Sequence, residues 1–230
     1  MKRPAPLIAL LVWAYVQHPS PAVAQTGRQP IAGRIEVAAG PWWSGATSVG
    51  AQEATLTAAD GSRFRLFSTS SGLDPAPGVE LRVGARVARV VDAELVASYA
   101  VPRLSTTITA DAENAAATTA SEPIRQVTIE GGAVVYLPRR LGPRLVPFVT
   151  TGGGLLRQLH ERQTLVQTGR VYHVGGGIKV GLVSRAATGK RLKQIGVRVD
   201  ARALVRTAGV TLDGRAHVAP ALVASLFGRF

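Results

Sequence analysis

The segment His217-Val-Ala-Pro-Ala-Leu-Val-Ala-Ser-Leu-Phe-Gly-Arg-Phe230 decides how the rest of the chain is read. Side chains of an extended strand alternate between two faces. Counting back from the end, Phe230, Gly228, Leu226, Ala224 and Leu222 share one face, and Arg229, Phe227, Ser225 and Val223 share the other. A soluble domain has no need to end in this way. A strand that closes a barrel in a lipid bilayer does, because closure leaves no backbone edge unpaired in hydrocarbon.

The same period of two recurs upstream. Val197, Val199, Ala201, Ala203 and Val205 alternate with Arg198, Asp200, Arg202 and Leu204, and Tyr172, Val174, Ile178, Val180 and Leu182 alternate with His173, Gly175, Gly177, Lys179 and Gly181. Residues 145–156 are strand-like and rich in glycine. Val127, Ile129, Ala133, Val135 and Leu137 oppose Gln126, Thr128 and Glu130. Further strands are expected at 93–107, at 79–87 and from Gly33 into Trp42-Trp43. That makes about eight strands of about ten residues, the length of a tilted membrane-spanning strand. Polar connections at 44–78, 109–123, 158–169 and 207–215 alternate with short turns near 89–92, 138–143 and 185–190, the asymmetry of long outer loops and short periplasmic turns. Within 44–78 the run Arg63-Phe-Arg-Leu-Phe67 predicts a short extra strand.

Bulk properties narrow the class. The 230 residues include no cysteine, which removes disulfides, thiolate metal sites and a lipoprotein anchor. The net charge is +13, yet the basic residues are dispersed in alternation with apolar ones and form no patch of the kind nucleic acid requires. Residues 1–24 read as a secretory signal peptide: Lys2 and Arg3, an apolar run from Leu7 to Val16, and Ala22-Val-Ala24 before Gln25. Residues 25–32 follow as a short linker and 33–230 as the barrel. No later apolar run reaches the ~18 residues of a membrane helix.

The charged faces carry Glu36, Glu80, Arg82, Arg86, Glu94, Glu130, Lys179, Arg198, Asp200 and Arg202, five acids and five bases. An eight-stranded barrel has an interior that side chains just fill, and charges there must be paired. A neutralised lumen network is therefore expected. Trp42, Trp43, Tyr99 and Tyr172 are expected at the membrane–water boundaries. Alternation alone does not say which face is inside, so two alternatives stay open: a narrow channel, and a soluble periplasmic barrel binding an apolar ligand.

On these features, from the signal peptide to Phe230, the chain resembles the small bacterial outer-membrane β-barrel superfamily, the OmpA/OmpX-like eight-stranded barrels. One departure is Gly228, where that family usually has a second aromatic residue. The resemblance implies an all-β, antiparallel, up-and-down transmembrane barrel in the cell outer membrane. It implies a terminal aromatic, Phe230, read by the assembly machinery, and outer-membrane lipids and lipopolysaccharide as surroundings. Arg162, Arg170 and Arg215 are expected near the lipopolysaccharide phosphates. Arg139, Arg140, Arg144, Arg185, Lys190, Arg191 and Lys193 are expected near periplasmic head groups.

Residues for catalysis are sparse. Gly152-Gly-Gly154 and Gly175-Gly-Gly177 lack the lysine of a phosphate loop, and His160, His173 and His217 lack metal-ligand spacing. Lipid A deacylase barrels carry His-x-Ser, whereas this chain has His173-Val-Gly175. Asn114 is its sole asparagine. The expectation is a non-enzymatic barrel without cofactor or metal, with a structural or surface-interaction role and with 44–78 long enough to bind a partner.

Overall fold

The computed structural model describes residues 34–110, 112–113, 115–138, 144–160, 165–184 and 192–230. The expected signal peptide and linker lie outside the described residues, as do Asn114, Arg139, Arg140, Arg162, Arg185, Lys190 and Arg191.

Alternating sequence becomes strand throughout: β1 (Ile35–Ser44), β2 (Thr47–Thr57), β3 (Arg63–Leu73), β4 (Ala76–Ala88), β5 (Val91–Ala100), β6 (Arg103–Thr109), β7 (Thr118–Pro123), β8 (Arg125–Tyr136), β9 (Leu145–Leu159), β10 (Val166–Ser184), β11 (Gln194–Ala208) and β12 (His217–Arg229). Eight of them close an antiparallel barrel in the order β1-β12-β11-β10-β9-β8-β5-β4. The seam joins the first strand to the last, with Glu36 opposite Arg229 and Ala38 opposite Phe227. It is completed by Arg34 N–H to Phe230 O and Phe230 N–H to Ile35 O, both 2.9 Å.

The burial of the two faces says which one is inside. Val79, Leu95, Leu155, Val174, Val218 and Leu226 point outward and are each about three-fifths exposed, while Arg198 and Asp200 point inward and are 0% and 1% exposed. Water outside would make this arrangement costly on both counts. An apolar solvent outside reverses both terms, so this is a membrane-type barrel. The soluble barrel with an apolar ligand is overturned, since its apolar faces line no interior cavity.

Two of the expected loops are sheet. The stretches 44–78 and 109–123 contribute β2 and β3, and β7 with the end of β6, to a second four-stranded sheet ordered β2-β3-β6-β7. β2 and β3 prolong the β1–β4 pair: Ser44 faces Ala76, and beyond Asp74-Pro75 Thr47 faces Leu73. β6 and β7 likewise prolong β5 and β8 beyond Pro102, with Arg103 opposite Pro123. The expected short strand at 63–67 is the start of the eleven-residue β3. The pattern was concealed because a sheet standing in water needs no apolar face. Register shifts at Ser48/Gly50 and Ala54/Thr55 also interrupt its period. This sheet rises from the barrel end opposite the seam's chain ends. Its base is tied to β12 by Gly45 N–H to Pro220 O and to the β11–β12 connection by Leu212 N–H to Val49 O, both 2.7 Å.

The turn expected at 89–92 is tighter than that. Asp92 lies in β5, between Arg86 and Val134, and its side chain enters the lumen. The segment at 158–169 is shorter too, because β9 runs to Leu159 and β10 begins at Val166.

Candidate functional site in the barrel lumen

Every second residue of a barrel strand faces the lumen, so Arg198, Asp200 and Arg202 on β11 stack along one wall. Asp200 answers Arg198 and Arg202 along that wall, and Glu80 and Glu94 answer them from β4 and β5. Three levels are occupied.

Nearest the chain ends, Lys179 Nζ lies 2.6 Å from Glu36 Oε1 and donates to Tyr136 Oη at 2.8 Å. Arg229 donates from Nε to Glu36 Oε2 at 2.6 Å and from Nη2 to Asp92 Oδ2 at 3.0 Å. Tyr136 Oη donates to Asp92 Oδ2 at 2.5 Å, and Arg86 Nε pairs with Asp92 Oδ1 at 3.0 Å. Lys179 also sits 5.7 Å from the Phe148 ring centroid and 5.6 Å from that of Phe227, where ring faces favour a cation.

At mid-barrel, Arg198 Nη1 pairs with Glu94 Oε1 at 2.5 Å, and Asp200 receives Arg202 at 2.7 Å and Arg198 and Arg82 at 3.4 Å. Arg82 also pairs with Glu80, and Arg202 reaches Glu80 Oε2 at 2.9 Å. Beside them His173 Nδ1 meets Glu130 Oε2 at 2.7 Å and its Nε2 meets Thr150 Oγ1 at 3.4 Å. An acid, an imidazole and a hydroxyl in that order have the form of a nucleophile relay. Here the imidazole side chain is 2% exposed inside the lumen. It ties the three neighbouring strands β8, β9 and β10.

Above these polar levels lies an apolar plug of Trp42, Ala100, Leu156, Val171, Leu204, Ala221 and Val223. It separates the charges from the mouth beneath the projecting sheet.

All ten charged residues expected in the lumen are inside, and the structure brings them together. Sequence reading missed Asp92, Arg229 and Tyr136. Asp92 had been placed in a turn. Arg229 was on the face of Phe227 and Ser225, and that alternation was the signal that could have added it. Tyr136 is two residues beyond the fully buried Val134 and was legible in the same way. With Asp92 and Arg229 included, six carboxylates face six cations: Glu36, Glu80, Asp92, Glu94, Glu130 and Asp200 against Arg82, Arg86, Lys179, Arg198, Arg202 and Arg229. Burying so many ions is tolerable only in this matched form.

Of the aromatics expected at the boundaries, Trp43, Tyr99 and Tyr172 point outward, at 40%, 42% and 45% exposure. Trp42 does not. It is 5% exposed in the plug and its indole Nε1 donates to Tyr99 O at 3.3 Å. The correction has a simple cause: adjacent strand residues face opposite ways, so Trp42 and Trp43 cannot both meet lipid. Phe230 points outward at the seam. Arg144, Arg170, Lys193 and Arg215, from the expected basic rims, are exposed.

Outside the barrel, two aspartates are held below their ordinary range. Asp213 accepts the Arg215 backbone N–H and contacts His217, and Asp60 accepts from the Ser62 hydroxyl and N–H. Both act as turn-forming side chains.

An apolar outer wall around a charge-filled, plugged lumen defines a transmembrane β-barrel. Its fold is that of the small eight-stranded outer-membrane barrels. The chain is similar to the crystal structure of Neisserial surface protein A over 85% of this chain and 97% of that one, at 13% identity and a TM-score of 0.52. It also matches the outer membrane protein OprG from Pseudomonas aeruginosa (86% and 96% covered, 11% identity, TM-score 0.46). A third match is Ail, the attachment invasion locus protein of Yersinia pestis, in complex with the heparin analogue sucrose octasulfate (86% and 99% covered, 12% identity, TM-score 0.40). No protein-family model matches the chain, and no curated protein matches it.

Proposed function

We propose that this chain is an integral outer-membrane barrel with a structural or surface-interaction role, not an enzyme, and that the sheet β2-β3-β6-β7 is the part that meets a partner. The observation that carries the reading is the position of that sheet. It extends the barrel wall on the side away from the chain ends, where outer-membrane barrels place their extracellular connections. The sheet is Ser/Thr-rich and water-exposed, with Leu56, Phe64 and Ile108 at 49%, 45% and 41% exposure as apolar contact points. The non-enzymatic part rests on the buried position of His173, the one lumen imidazole among the described residues aligned with an acid and a hydroxyl.

The test is fractionation followed by protease treatment of intact cells. The expected protein stays in the outer membrane through carbonate and migrates differently on gels with and without boiling. Protease outside the cell then cuts at the β2–β3 connection around Arg63 and leaves the barrel whole. Release by carbonate would reject the membrane reading. Cleavage only after the periplasm is opened would reject the outward sheet.

A further inference from the structure

Arg206 is the cation that the lumen's balance leaves over. It is on β11, two residues beyond Leu204 of the plug, and is 6% exposed. Its Nε and Nη2 are buried and have no hydrogen-bond partner among the described residues. A guanidinium does not deprotonate in a protein. The Glu130 carboxylate acts on Arg206 electrostatically but makes no hydrogen bond to it, an unfavourable arrangement for a buried charge.

Arg206 lines a small cavity with Thr47, Val49, Gln158 and His217, and no carboxylate lines it. The other polar groups there are already engaged. Thr47 Oγ1 donates to Val218 O at 3.2 Å, Gln158 Nε2 donates to Gln126 at 3.3 Å, and Gln158 Oε1 accepts the Val210 N–H at 2.9 Å. His217 Nε2 is 2.9 Å from Asp213 Oδ1. The unpartnered N–H groups of Arg206 are therefore the donors this cavity offers, and what they lack is an acceptor carrying negative charge.

We propose that this cavity is a binding site for a monoatomic anion, chloride under ordinary conditions, held by the Arg206 guanidinium above the plug. The cavity volume of about 10 Å³ selects the class of ligand. It is about the room of one water-sized particle, so the smallest anions are the ones to test and a phosphate or lipid head group is too large. Neutral water satisfies the N–H groups but leaves the charge.

The refolded barrel in detergent is heated in chloride or bromide, with gluconate replacing the halide at constant ionic strength. Wild type is compared with Arg206→Met, which keeps the stem and removes the charge. The expected result is a midpoint that rises by about 3 °C with halide in wild type and stays level in R206M. No halide response in wild type, or an equal response in both, overturns the site. Should R206M fail to fold, wild-type crystals grown in bromide decide it: an anomalous peak at the Arg206 guanidinium supports the proposal, and its absence overturns it.

Discussion

At the scale of single residues, Asp200 has the most to lose. It receives three guanidiniums, Arg202 at 2.7 Å and Arg198 and Arg82 at 3.4 Å, while only 1% exposed. Asp200→Asn keeps the shape and removes the charge, leaving cations with no solvent to turn to. The expected cost is about 3–5 kcal/mol. The contrast is Arg65–Glu53 on the projecting sheet, 3.2 Å apart but 50% and 59% exposed. Arg65→Gln is expected to change stability by less than about 1 kcal/mol, because water screens that pair. Urea titration of the heat-modifiable band measures both, and equal midpoints for the two variants would show that the lumen charges are not coupled as described. Residue identities inside the barrel were legible because charge alternated with apolar residues. Trp42 was misread because an aromatic residue carries no mark of the side it faces.

At the scale of elements, glycine decides whether neighbouring strands can approach. A Cβ on Gly154 of β9 would stand 1.9 Å from Ile129 O and 2.6 Å from Glu130 Cα, both backbone atoms of β8. Backbone in a closed barrel has nowhere to move, so Gly154→Ala is expected to abolish the folded, fast-migrating gel band. On the paired strand a Cβ at Gly131 meets nothing within 4 Å, and Gly131→Ala is expected to leave that band intact. Equal behaviour of the two variants would contradict the β8–β9 register. Barrel strands announced themselves because one face meets lipid and the other meets charge. β2, β3 and β7 did not, because beyond the small apolar cluster of Val49, Leu73 and Ile124 at their base both faces meet water and the constraint that creates alternation is absent.

For the molecule as a whole, the lumen contains two barriers in series. Charge ties span the lower levels, and the plug around Trp42 closes the end beneath the sheet. Wild type in planar bilayers is expected to show no steady conductance. Removing Glu80 and Arg82 together loosens only the mid-barrel ties, so conductance should stay at baseline. Adding Trp42→Ala and Lys179→Ala to that double variant, which also opens the plug and the cluster nearest the chain ends, is expected to give steps. Conductance in wild type, or in the double variant alone, would show that the plug does not seal.

What the sequence determined by itself was the barrel. Period-two alternation and strand length follow from local rules that each strand obeys independently. The ten charged lumen positions were readable for the same reason. What only the tertiary structure decided were relations between strands distant in the chain. Arg82 meets Asp200 across the lumen, Asp92 completes a cluster built on Arg229, and the plug assembles from several walls. Closure brings these groups together, and no pattern along one strand encodes which residue stands on the opposite wall. The same holds for Arg206, whose lack of a partner shows only once every wall is in place.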